Sequence, residues 1–401
     1  MLQASVQLYK NAYQGLSKPI WWLSLVMFVN RSGTMVIPFL TVYLTDKGYS
    51  LAEAGLVMAT FGAGAIVGSF MGGRLTDKFG FFYVQVFSLL LNGLLFFVLG
   101  AMHTLWHIAI CIFVLSSLGE AFRPANATAI AAYSHESNRT RCYSLNRLAV
   151  NLGWAIGPAV GGILASIDYS WLFWVDGSTC VVASLLLYIF LAPDKTQAFT
   201  PKKEAEVVKE ASAYKDKVFL KAMFYIFLVS LCFFQLFSRV PVFYKDHLQL
   251  SKATIGFVLA LNGIIIALVE MVLVYKLENR RNPMHYMVIG ALLMGLSFLI
   301  LAMPGILFTV LLSIVVITFG EMFLFPFVNN FWVNRSTFQN RGQYAAAYNM
   351  AFALAQVLAP TLAAEVAVLF GFKILWSINF FVCSFAALGF YFLQKQLASH
   401  E

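Results

Sequence analysis

Charge is what this chain has least of. Of its 401 residues 11% are charged and 60% are hydrophobic, and the mean hydropathy is +0.78. A soluble domain usually carries about 25% charged residues. One aqueous core cannot absorb this excess of apolar surface, so lipid must be the solvent for most of the chain. Cysteine is sparse too. The five at positions 111, 142, 180, 232 and 383 form no CxxC pair and no metal-ligand spacing. They are read as packing residues, and neither a disulfide scaffold nor a metal site is expected. Acidic residues are fewer than basic ones, and the net charge is +9. A basic balance can signal nucleic acid, but here the Lys and Arg alternate from one polar segment to the next, so no nucleic-acid partner is expected. No nucleophile–base pair and no phosphate loop is visible, which argues against an enzyme and against a cofactor. Residues 1–17 are polar and mixed, without the compact apolar stretch of a cleavable leader, so the first apolar run is expected to stay in the membrane.

What the chain does have is long apolar runs. A bilayer core needs about 20 apolar residues per helix. About twelve such spans can be marked, at 20–45, 51–73, 82–101, 105–132, 143–167 and 171–191, then at 218–244, 252–275, 284–302, 305–333, 343–369 and 372–394. Trp21, Trp22, Trp106, Trp171, Trp174 and Trp376 stand near their ends, as interfacial anchors do. With the N-terminus placed in the cytoplasm, the inner segments hold about 19 Lys and Arg, and the outer loops hold Lys47, Lys245, Lys252 and Lys373. Both termini are then cytoplasmic. The sequons at Asn138 and Asn334 fall on that inner side and are discounted for glycosylation. Residues 193–217, rich in Lys and Glu, read as a solvated linker between an N-terminal bundle (1–192) and a C-terminal bundle (218–401).

The two halves repeat. Leu118-Gly119-Glu120 recurs as Phe319-Gly320-Glu321, Tyr43 as Tyr244, Ser50 as Ser251, Asp77 as Glu278, Arg139 as Arg341, and Gly157-Pro158 as Ala359-Pro360. A duplication across a mostly apolar chain implies two related helical bundles, an all-α polytopic architecture typical of membrane transport proteins.

Three motifs carry chemistry. Gly72-Gly73-Arg74-Leu75-Thr76-Asp77-Lys78-Phe79-Gly80, placed in the loop after the second span, contains Gly-x-Leu-x-Asp-Lys-x-Gly. Gly73 allows close approach, Asp77 can accept from a helix N-terminus or pair with an Arg, and Gly80 permits a positive φ. Span five holds Gly153, Gly157-Pro158 and Gly161-Gly162, small residues for tight packing around a helix-bending proline. Span four holds Glu120 and Arg123, three apart and so on one helix face. The chain resembles the major facilitator superfamily through the first motif, and its twelve-helix drug:proton antiporters through the second. The span-four segment is similar to the antiporters' Arg-x-x-Gln-Gly pattern, with Asn126 and Ala127 standing for Gln and Gly. The resemblance implies two pseudo-symmetric six-helix bundles. It also implies a conformational latch at Gly73, Asp77, Lys78 and Gly80, with Glu278 as the weaker copy, and a kink at Gly153, Gly157, Pro158, Gly161 and Gly162.

In that fold spans one, four, seven and ten line the central cavity, and Arg31, Glu120, Arg123, Arg239 and Glu321 all fall on those four. A charge at mid-membrane is costly, by about 2.5–3.5 kcal/mol on the lenient insertion scale, and usually functional. Glu120 and Glu321, with Arg123 and Arg31, are therefore read as proton-coupling residues, or else as buried ion pairs that hold the bundles in register. Asn30, Thr34, Phe122, Asn126, Gln235, Arg239, Phe325, Asn329 and Trp332 are candidates for a substrate surface, although such residues are common in any membrane helix. The resulting expectation is a monomeric, proton-coupled exporter of lipophilic or amphipathic small molecules in a bacterial inner membrane. A proton-coupled importer of a peptide or other nutrient stays open, since Arg31, Glu120 and Glu321 could equally clamp a zwitterion.

Overall fold

The computed structural model describes residues 2–192, 212–303 and 307–398, so the linker expectation for 193–211 lies outside the described residues. The described chain is helical. Its helices are α1 (Leu2–Tyr13), α2 (Lys18–Ser32), α3 (Val36–Asp46), α4 (Leu51–Phe79), α5 (Phe81–Gly100), α6 (Leu105–Tyr133), α7 (Arg139–Ile167) and α8 (Ser170–Leu191). There follow α9 (Lys217–Phe233), α10 (Gln235–Ser238), α11 (Val240–Val242) with a π turn at Phe243–His247, α12 (Lys252–Leu277), α13 (Pro283–Leu301), α14 (Leu307–Arg335), α15 (Arg341–Phe370) and α16 (Phe372–Ala398). Among the described residues twelve helical spans are long and apolar enough to cross a membrane. Helices suit this role because lipid offers backbone groups no partner, and a helix satisfies them within itself.

Two of the twelve spans are not single helices. The first, Lys18–Asp46, is α2 plus α3, broken at Gly33, Thr34 and Met35. The seventh, Lys217–His247, runs through α9, α10, α11 and the π turn. Elsewhere local chemistry starts and stops the helices. Ser50 and Glu53 form a capping box at the start of α4, and Ser251 accepts from the Thr254 N–H at the start of α12. The two caps are copies of each other in the repeat. Gly80, at φ +83°, closes α4 and opens α5, a conformation that disfavours any residue with a Cβ.

The chain divides into two compact units. One holds residues 16–215 and 336–350, and the other holds 1–15, 216–335 and 351–401. The boundaries cut helix α15 between Met350 and Ala351, and they separate α1 from the span that follows it. In the N-terminal unit the packing is strongest between α4 and α6, between α5 and α8, and between α5 and α6, with α2 on α7 next. In the C-terminal unit it is strongest between α13 and α14 and between α13 and α16. Large apolar side chains such as Phe87, Trp106, Ile163, Val368 and Phe392 remain on the outside, as a lipid-facing surface requires.

Candidate functional site

The N-terminal unit builds its polar centre around the break in the first span. Arg31 sits in the last turn of α2, where its carbonyl accepts from the N–H groups of Gly33 and Thr34. Helix α7 presents its glycines to this break. A Cβ on Gly153 would lie 2.5 Å from Arg31 Cβ, one on Gly157 would lie 2.9 Å from the Thr34 carbonyl oxygen, and one on Gly161 would lie 3.0 Å from Met35 Cβ. Gly162 is different: its Cβ would meet Phe39 at an ordinary 3.6 Å. The span-five motif is thus a seat for the broken helix. Pro158 lies inside a continuous α7.

Helix α8 holds the other side of the break. The carboxylate of Asp176, 2% exposed, accepts from the Met35 N–H at 2.9 and 3.2 Å and from the Val36 N–H at 2.9 Å. These are N–H groups that the break leaves without a helical partner. The Asn30 side-chain amide donates to Cys180 Sγ at 3.3 Å. From α6, Glu120 forms an ion pair with Arg123, Oε2 to Nε 3.0 Å, and both interact electrostatically with Arg31. Asn126, one turn on, accepts from Gln85 and donates to Asn146, both at 3.3 Å. The structure therefore brings Arg31, Glu120 and Arg123 together, sets Asn30 and Thr34 at the break, and ties Asn126 to Gln85 and Asn146. Phe122 is buried in the packing of its unit.

In the C-terminal unit Glu321 is 2% exposed and accepts from the side-chain amide of Asn262 in α12, which also reaches Thr318 at 2.9 Å. Gln235, at the break in the seventh span, exchanges hydrogen bonds with Asn379 of α16 at 3.0 and 2.8 Å. Arg239 donates through Nε and Nη2 to the carbonyl of Pro360, at 3.3 and 3.1 Å. Phe325 packs edge-on with Phe233 and Phe352 at 5.0 and 5.6 Å. Asn329 bonds back to the Phe325 carbonyl and accepts from the indole of the buried Trp332, so both are tied to their own helix. Asn262 and Asn379 were missed by the sequence reading, and Asp176 stood out only as an ionisable group in the outer half of span six, without a partner. Their signal was a lone polar residue in an apolar span, which does not by itself identify a partner.

The third cluster lies at the end of α4. Asp77 accepts from the N–H groups of Gly342, at 2.7 Å, and Gln343, at 3.1 Å, in the first turn of α15. Its negative charge thus meets the positive end of a helix dipole. Gly73 makes the approach possible, since its Cβ would lie 2.4 Å from Ala346 Cβ and 2.5 Å from the Gly342 oxygen. The motif is not a loop as expected. Residues 72–79 are the last two turns of α4, and only Gly80 is the joint. Lys78 is exposed and lies over the Phe79 ring at 5.1 Å, away from this contact. Glu278 caps the end of α12 and is buried, and it is followed by Asn279 at φ +61°.

Comparison with known proteins identifies the family and the fold. A family model described as Major Facilitator Superfamily matches residues 21–360. The chain is 24% identical over 367 residues to the Na(+), Li(+), K(+)/H(+) antiporter of Planococcus maritimus, covering 83% of this chain and 85% of that one. It is 21% identical over 322 residues to the quinolone resistance protein NorA of Staphylococcus aureus, covering 80% and 82%. Among solved structures, the E. coli fucose:proton symporter FucP superposes with a TM-score of 0.74 at 12% identity, over 93% of this chain and 98% of that one.

Proposed function

This chain belongs to the major facilitator superfamily, a multi-pass membrane transporter and not an enzyme, and from that premise we propose that it exports lipophilic or amphipathic small molecules in exchange for protons. The observation that carries the reading is the buried Glu120–Arg123 ion pair beside Arg31, seated on a broken first span. An ion pair in a low-dielectric setting is strong while intact and costly once one partner is neutralised. Protonation of Glu120 frees Arg123, and deprotonation restores the pair. Substrate and proton then compete for the same charged centre. Glu321, which accepts from a neutral amide, is the second site of proton exchange. The Asp77 contact with α15 acts as the latch that stabilises one conformer. Both termini are placed in the cytoplasm by the Lys and Arg asymmetry, and the protein is read as a monomer of a bacterial inner membrane.

A cation/H(+) antiporter and a quinolone resistance protein among the relatives support proton exchange and a drug-like substrate. The test uses purified protein in liposomes, with ethidium as the probe substrate. An imposed pH gradient should drive ethidium against its own gradient, and ethidium binding should release protons from the detergent-solubilised protein. Absence of both in a well-folded preparation would remove the exchange reading. Proton and substrate moving in the same direction would instead establish the importer.

A further inference from the structure

Three residues of α8 grip the first span on both sides of its break. Cys180 Sγ accepts from Asn30, before the break. Thr179 occupies the place a side chain on Gly33 would need, for a Cβ there would lie 1.8 Å from Thr179 Oγ1. Asp176 takes the N–H groups of Met35 and Val36, after the break. Arg31 lies between the outer two contacts, with Gly153 of α7 against its Cβ. The guanidinium of Arg31 has little room to choose its place.

The C-terminal unit holds its own broken span with a neutral device, the Gln235–Asn379 amide pair. Holding a break therefore does not require a charge. The N-terminal unit uses one nonetheless. The charged groups that act on one another at its centre are Arg31, Arg123 and Glu120, and Asp176 stands at the backbone of the break. Two further titratable groups face them: Cys180 of α8 lies in the field of Arg31, and Tyr348 of α15 lies in the field of Arg123 and of Arg147. Asp176 spends its carboxylate on backbone N–H groups, which leaves Glu120 as the carboxylate of this centre able to gain and lose a proton.

We propose that Asp176 is a positioning residue for proton exchange: by fixing the break in the first span it sets Arg31 beside the Glu120–Arg123 pair. This rests on the reading of Glu120 as a proton-exchange site. Two measurements on the full-length protein separate the inference from that reading. The first is alkylation of Cys180 by N-ethylmaleimide, located by mass spectrometry. The second is the pH of half-maximal ethidium transport in liposomes. Asp176→Asn keeps the shape and replaces one acceptor oxygen by a donor. It should loosen the break, raise Cys180 alkylation by about tenfold and move the transport midpoint about one pH unit higher, because Arg31 is then no longer held beside Glu120.

Unchanged alkylation in Asp176→Asn overturns the grip. Faster alkylation with an unmoved midpoint overturns the positioning role and leaves a structural one. If wild-type transport is independent of pH, the exchange reading falls, and the alkylation comparison still decides whether Asp176 holds the break. Should Asp176→Asn fail to insert, Asp176→Glu keeps both acceptor oxygens, one methylene further out. It should alkylate slowly and keep the wild-type midpoint, and a midpoint displaced by about a full unit in that variant overturns the proposal.

Discussion

The four glycines of α7 make a graded prediction, because the structure assigns each a different clearance. Ordinary carbon–carbon separations are about 3.5–4.0 Å. An added methyl would fall 2.5 Å from Arg31 Cβ at Gly153, 2.9 Å from the Thr34 oxygen at Gly157, 3.0 Å from Met35 Cβ at Gly161, and 3.6 Å from Phe39 Cζ at Gly162. Gly153 faces a Cβ and, at 2.9 Å, the backbone carbon of Arg31; neither can yield without moving α2. Gly157 faces three carbonyl oxygens of the break, those of Thr34, Arg31 and Ser32, within 3.3 Å. Overpacking against backbone costs about 1–3 kcal/mol. Gly153→Ala and Gly157→Ala are thus each expected to cost roughly 1–3 kcal/mol and to abolish most turnover. Gly161→Ala meets Met35 Cβ at 3.0 Å and Met35 Cγ and the Phe39 ring at 3.2 Å, a milder overlap that a shift of a few tenths of an ångström relieves, and should cost about 1 kcal/mol. Gly162→Ala meets Phe39 at an ordinary distance and should be neutral or slightly stabilising, since Ala is the better helix former. The assay is an alanine series in purified protein, comparing thermal unfolding with the ethidium transport rate in liposomes. A Gly162→Ala variant as damaged as Gly153→Ala would refute this reasoning, and so would a fully active, fully stable Gly153→Ala.

Other substitutions test the remaining interactions. Asp77→Asn keeps one acceptor for Gly342 or Gln343 and loses about one charge-assisted hydrogen bond; at the lower end of their range, about 1.5 kcal/mol for this half-exposed site, the latched conformer falls roughly tenfold in population. Transport slowed about tenfold with normal insertion is expected, and a wild-type rate would remove Asp77 from the latch. Glu321→Gln keeps a partner for Asn262 while removing proton exchange. One proton per unit of pH gradient sustains about a tenfold concentration ratio, so the variant should bind ethidium normally, lose that much accumulation and still exchange downhill; undiminished proton release would move the role elsewhere. Asn379→Leu strands the buried Gln235 amide and should cost about 1–3 kcal/mol in denaturant unfolding. The double variant with Gln235→Leu should recover most of that loss, and an equally unstable double variant would show that the amide pair is not what holds the seventh span.

Much of the architecture was legible because lipid imposes it. A run of some 20 apolar residues has few alternatives to a helix, and the twelve marked spans correspond to the twelve observed. The breaks were not read. Span one was marked as continuous from 20 to 45 although Asn30, Arg31, Ser32, Gly33 and Thr34 form a polar run inside it, and although Pro38, one turn on, cannot donate to the Thr34 carbonyl and so announces the interruption. The motif around Asp77 was placed in a loop because glycines read as breakers. In the structure Gly73 is a helical residue that lacks a Cβ for the sake of α15. The ionisable residues Glu120, Arg123 and Glu321 stood out from their apolar surroundings, and the partners that fix them did not. Asn262 and Asn379 are neutral, single, and far away in sequence, and only the packing of α12 on α14 and of α16 on α9 brings them into reach.

The repeat makes the difference between the units informative. Taking Pro124 and Pro326 as reference, an offset of 202 carries Arg123 onto Phe325, and the offset of 201 that pairs Tyr43 with Tyr244 carries Arg31 onto Cys232, beside Phe233. In the N-terminal unit the two guanidiniums share the field of Glu120. In the C-terminal unit Phe325 and Phe233 pack edge-on at 5.0 Å. At an offset of 203, Asp176 falls on Asn379, so the group that holds the break loses its charge at the same time. One backbone plan thus carries a charged centre in one half and an aromatic one in the other. Isolated guanidiniums are costly in a membrane, so Arg31 and Arg123 persist only where a carboxylate answers them. Where phenyl rings stand in that region instead, a neutral amide suffices to hold the break. On the proposed reading the halves have divided the work: the N-terminal unit senses charge through Arg31, Glu120 and Arg123, and the C-terminal unit offers Phe233, Phe325 and Phe352 to apolar substrate surface, with Glu321 as its proton-exchanging group. Exchanging Arg31 for Phe should then abolish proton dependence while sparing the affinity for ethidium, whereas Phe233→Arg, placing a cation among phenyl rings, should prevent insertion of the seventh span. An inserted, active Phe233→Arg variant would break the link between the charges and their half of the molecule.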